Sequence, residues 1–231
     1  MRKVILSLLF LFAAGISNAM DYNDIIRDIR VRIRDTGPTS EEYRYSDLDL
    51  IRMINYVEED IVSYTAAIEE EYYINTSSDT REYTFPEEQS LYPRRVSYAK
   101  TGSTTSYERL DYVTIGNLDN QLSRWEDRGM GVPTEYYIKG NTIGLDRPPR
   151  PAGVNHLKVQ VVARPIEVST STLSNTPYRG YTNLYPFHKV ISLGVVAEIT
   201  GNYQVYYQLL ESMRQRLMSR PDAFIGGSYI D

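Results

Sequence analysis

Cysteine is absent from this chain of 231 residues, histidine occurs twice and tryptophan once. Without cysteine there is no disulfide framework, no thiolate zinc or iron–sulfur site and no thiol nucleophile. His156 and His188 stand far apart, which excludes a multi-histidine metal site within one chain. Hydropathy is low as well: its mean is −0.41, so the chain is not a polytopic membrane protein. No basic surplus exists either, and the formal charge of −5 argues against a surface built to grip DNA phosphates. Phosphate loops (G-x-x-x-x-G-K-[ST], G-x-G-x-x-G), the G-x-S-x-G elbow and H-E-x-x-H are all lacking. The sequence therefore points to no catalytic group, no metal and no cofactor, and we expect no enzyme. Tyrosine is what abounds, 21 residues against five phenylalanines. A rigid ring with a polar tip suits surfaces half in and half out of water, such as subunit interfaces.

Arg2 and Lys3 precede an apolar run, Val4 to Ile16, and Ser17-Asn18-Ala19 puts small residues at a possible cut. This matches a secretory signal peptide and is too short to span a membrane. Met20 equally suits a start, since everything recognisable begins at Asp21. Residues 1–19 thus read either as a signal-like leader or as a segment outside the folded unit.

Apolar residues Tyr22, Ile25, Ile26, Ile29 and Ile33 predict a helix over Asp21–Thr36 that Gly37-Pro38 stops. Arg27, Arg30, Arg32 and Arg34 lie mostly off that stripe, as a solvated or intersubunit face. Ser46 opens a second helix as N-cap, with Asp47 and Asp49 in its first turn. Leu50, Ile54, Val57, Ile61 and Tyr64 follow with heptad spacing, which predicts close helix packing. Glu58, Glu59 and Asp60 read as a solvated acidic face.

Short strands follow at 83–86, 95–100, 107–113, 135–139, 142–146 and 157–164, with a hairpin at Gly140-Asn141. The last strand alternates apolar and polar residues apart from Val162. Residues 116–128 suit a short helix, Trp125 a packing anchor or a sugar platform, and 169–183 a loop. Helix returns at Pro186 as a first-turn residue, breaks at Gly201-Asn202 and resumes over Tyr203–Ser219 with Tyr206, Leu209, Leu210, Met213 and Leu217 on one face. The fold class expected is α+β. A bundle of two N-terminal and two C-terminal helices (21–70 and 184–220) would carry a strand-rich insert (71–170) and end in a flexible tail (221–231).

Four stretches in order carry a resemblance: Ile25-Ile26-Arg27-Asp28 with Arg34-Asp35-Thr36; Tyr45-Ser46-Asp47, Leu50-Ile51, Ile54-Asn55 and Asp60-Ile61; Tyr83-Thr84-Phe85-Pro86; and Gly131-Val132-Pro133-Thr134-Glu135-Tyr136-Tyr137-Ile138 with Gly140-Asn141 and Pro148-Pro149. Through them the chain resembles the head–tail connector (adaptor or gatekeeper) proteins of tailed bacteriophages. The resemblance implies a ring of about a dozen copies below the capsid portal. Its partners would be the portal protein and tail or second adaptor proteins, with DNA passing through and no sequence-specific grip. A negative ring repels phosphate, which fits such a channel. The location implied is the virion, assembled in the host cytoplasm. Arg27, Arg30 and Arg34 would pair with Glu58 and Glu59 of a neighbouring copy. The tail residues Phe224, Ile225, Tyr229 and Ile230 would dock on the portal. The competing reading, from the signal-like segment, is a secreted or periplasmic module whose insert and exposed tyrosines hold a glycan or a protein.

Overall fold

A computed structural model of the chain describes residues 19–35, 43–101, 104, 106–121 and 125–219. Helix α1 spans Tyr22–Ile33, capped by Asp21, whose carboxylate accepts from the Asp24 N–H at 2.8 Å. Of its apolar stripe Tyr22, Ile25, Ile26 and Ile29 are buried, as the spacing predicts, and Ile33 is partly so. The helix ends earlier than Thr36, because Arg34 turns left-handed at φ 57°. That turn brings Asp35 inward, where its carboxylate accepts from the backbone N–H of Arg44 (2.7 Å) and Tyr45 (3.2 Å) and from the Arg30 guanidinium (2.9 Å). Three donors on one buried carboxylate outweigh another turn of helix.

Helix α2 spans Asp47–Thr65 and starts with a reciprocal capping box between Ser46 and Asp49. Leu50, Ile54, Val57 and Ile61 are at most 2% exposed. Tyr64, predicted on the same stripe, is instead exposed and donates to Glu211. An α-helix drifts about 20° per heptad from a strict 3.5-residue repeat, so by the second heptad Val62 and Thr65 have taken the buried side.

The chain between α2 and the C-terminal helices forms two four-stranded sheets. The first is ordered β1 (Glu69–Ile74), β8 (Leu157–Ala163), β3 (Ser90–Tyr98), β4 (Glu108–Arg109), all antiparallel. The second is ordered β2 (Glu82–Thr84), β7 (Thr142–Leu145), β6 (Glu135–Lys139), β5 (Asp111–Tyr112), with β5 and β6 parallel. Gly140-Asn141 makes the predicted hairpin between β6 and β7, Gly140 at φ 59°. Gly144 of β7 leaves room for the ring of Tyr137, which any Cβ there would strike. β3 begins before the predicted Arg95 because register shifts on either side of Pro93 absorb the missing N–H. β1 was not foreseen. Its Glu-rich run reads as polar, yet it is a sheet edge, where charge is useful against stray pairing.

A short helix α3 (Ile115–Gln121) follows β5, and Trp125–Asp127 forms a single 3₁₀ turn rather than a continuation to Arg128. α3 and Trp125 cover Tyr137 on the outer side of the second sheet. Asp146, at the end of β7, is fully buried and accepts from Arg128 (2.7 Å), Arg147 (3.0 Å) and the Thr134 N–H (3.1 Å).

Residues 182–187 are 3₁₀ and contain Pro186, so α4 starts at His188 and runs to Thr200. It packs against α1, α2 and α5 (Gln204–Met218). Gly194 makes this possible, since a Cβ there would collide with Val57 and crowd the Tyr206 ring. Two large cores result. One lies among the helices and the other between the two sheets. β8 serves both: Leu157, Val159 and Val161 face the sheet core, while Val162 and Ala163 join the helical one.

Candidate interaction surfaces

The charges expected at a subunit boundary separate into two groups. Arg30 is buried within its own chain. Its guanidinium donates to Asp35 (2.9 Å), Asp47 (2.5 Å) and the Tyr45 carbonyl (3.1 Å), and lies 3.8 Å from the centre of the Tyr43 ring. It locks the turn between α1 and α2 and has its donors engaged within its own chain. Glu58 is likewise no surface acid. It is 1% exposed, accepts from the Tyr22 hydroxyl and the Tyr178 N–H at 2.7 Å each, and ties α1 and the 178–187 segment to α2. The acidic run is solvated on one side only, because consecutive residues on a helix point about 100° apart. Burial without a cation pushes the Glu58 carboxyl up to about 7, and the two hydrogen bonds pull the other way. Asn55 adds a second clamp, accepting from the Val168 N–H (2.7 Å) and donating to the Val168 carbonyl (3.0 Å).

His188 is fully buried beside this centre, where its Nδ1 accepts from the Met20 N–H at 3.1 Å and Tyr178 and Tyr185 flank the ring. Burial pushes it down to about 4. It is thus a packed neutral histidine. His156, 7% exposed, sits edge-on to Tyr98. Trp125 is 4% exposed, donates to Asp119 at 2.8 Å and stands edge-on to Tyr137, which makes it a packing anchor and no sugar platform. Among the described residues no cluster of His, Asp or Glu could hold a metal ion, and no helix is long and apolar enough to cross a membrane.

The remaining charges do face outward. Arg27 and Arg34 are exposed on α1, and Arg27 lies 3.5 Å from Asp24. Glu59 is half exposed, 3.6 Å from Arg164. The tail residues Phe224, Ile225, Tyr229 and Ile230 lie outside the described residues, as does nearly all of the signal-like segment.

The abundance of tyrosine points to exposed rings, but composition does not say which ones. Tyr56 is 66% exposed on α2 and Tyr207 58% exposed on α5, where it stacks on Tyr203 with ring centres 5.7 Å apart. Tyr64 completes the face through Glu211 and Arg214. The usable signal was position: Tyr56 falls between the heptad residues Ile54 and Val57, off the buried stripe. Beside Tyr56, an open groove of about 540 Å³ runs between α2 and the segment after β8.

A model of the family described as SU10 adaptor protein matches residues 20–225. The matched region begins at Met20, past the signal-like stretch, and covers both helical pairs and both sheets. No curated protein matches the chain.

Proposed function

The chain belongs to the SU10 adaptor protein family, structural adaptors of the phage virion, and from that premise we propose that its copies close into a ring beneath the capsid portal. DNA passes through the ring, and tail proteins assemble on its far side. The family match over both helical pairs and both sheets carries this reading. The physics of the surface supports it. A chain of charge −5, repeated around a channel, repels phosphate and lets DNA slide. Exposed tyrosines on α2 and α5 offer the rigid amphipathic area that subunit contacts use. The chain then acts by contact and not by turnover.

The test is the mass of the portal complex carrying this chain, measured together with the intact-chain mass. Copies near a dozen per portal are expected, as the family resemblance implies. One or two copies per portal would overturn the ring.

A further inference from the structure

Opposite its buried stripe, α1 presents Arg27 and Val31 at i and i+4, with Val31 61% exposed, and the exposed Arg34 follows at its left-handed C-cap. This surface is cation, aliphatic, cation. The groove beside α2 has the complementary make-up. The exposed Tyr56 and Ile166 line it together with Glu59, Asp60 and Glu167 and one guanidinium, Arg164. Three carboxylates against one cation leave it acidic.

We propose that α1 of one copy docks in the α2 groove of the next, with Val31 against Tyr56 and Ile166 and the two arginines against the acidic lining. The proposal rests on the ring reading above and names the contact that would close it. Charge complementarity selects a second copy as the occupant: an Arg-bearing face both pairs with carboxylates and stacks on tyrosine. The two surfaces differ, so each copy uses one on either side, the head-to-tail arrangement that generates rings. A twofold dimer through α1 would set arginine against arginine. The pairs that docking must exchange, Arg27–Asp24 and Glu59–Arg164, are long and exposed, so little is lost in breaking them.

The absence of native cysteine gives a clean test in the full chain. Val31→Cys and Tyr56→Cys together, assembled in virions and mildly oxidised, should give a covalent ladder on a non-reducing gel. Either single substitution should stay monomeric. Copies per virion are counted in the same particles. Many copies without a ladder would overturn the interface while leaving the ring standing; one or two copies would overturn the ring and the interface with it. Dimers from Val31→Cys alone would show a self-pairing face and also overturn the proposal. A second route uses charge. Arg27→Glu with Arg34→Glu should cut incorporation at least tenfold, and adding Glu59→Arg with Glu167→Arg in the same chain should restore it. Failure to restore counts against the contact.

Discussion

The sheet half and the centre of the helical half each hold a carboxylate at most 1% exposed, Asp146 and Glu58, and the two are treated in opposite ways. Asp146, in the sheet half, meets two guanidiniums and two backbone N–H groups. Glu58, among the helices, meets only neutral donors, a tyrosine hydroxyl and a backbone N–H. A buried charge with cations at hand is a fixed electrostatic joint, whereas one with neutral partners favours taking up a proton. Asp146 is therefore a joint held by charge, as Asp35 with Arg30 is at the end of α1, whereas the centre of the helical half holds a group whose charge depends on pH.

The harshest way to probe this contrast is to supply a carboxylate with no donors at all. Ile54→Asp does so at a fully buried α2 position, at an expected cost of about 4 kcal/mol or more. Trp125, the lone tryptophan, sits in the sheet half, so its fluorescence and the helical circular dichroism report the two halves separately. Both midpoints should fall together, because β8 belongs to both cores; a helical transition that leaves the Trp125 signal in place would show the halves to be independent.

A middle-sized effect concerns Glu58 and pH. Its folded pKa of about 7 lies above the ordinary 4.5, so its contribution is present below pH 4.5 and is lost as pH rises through 7, about 3 kcal/mol in all. His188 runs the other way. Its folded pKa of about 4 lies below 6.5, so its contribution is present above pH 6.5 and lost as pH falls towards 4. Between pH 4.5 and 6.5 the two slopes oppose each other. Glu58→Gln removes one of them, and urea denaturation of the variant should show stability rising with pH across that window more steeply than in the parent. Identical pH profiles would mean that Glu58 binds its proton equally in the folded and unfolded chain across that window.

The smallest effect is expected from the matching change in the sheet half. Asp146→Asn leaves Arg128 and Arg147 without their anion, but both are partly exposed and can rehydrate. We expect a loss of about 2 kcal/mol at pH 7, against little or none for Glu58→Gln at the same pH. Equal losses at the two positions would erase the distinction between the two carboxylates.

Much of this architecture can be read from periodicity. The stripe in α1, the cap at Ser46, the β6–β7 hairpin and α5 are local signals, and each sits within a few residues of where the sequence puts it. What escaped depends on distant partners. The early end of α1 is set by Asp35 reaching the N–H groups of Arg44 and Tyr45. β1 exists because β8 pairs with it, and nothing within Glu69–Ile74 announces that. Glu58 looks like its neighbours Glu59 and Asp60 until Tyr178, 120 residues on, gives it a donor. The one irregularity noticed in the sequence was informative. Val162 breaks the alternation of its strand at the point where that strand's second face leaves solvent and passes under the helices.

That double allegiance makes β8 a ruler for the gene as well as for the fold. Side chains alternate with a period of two, so a single residue inserted or deleted inside Leu157–Val162 would send every later side chain to the opposite face. Val161 would be offered to the helices and Val162 to the sheets, and both cores would be mispacked by one lesion.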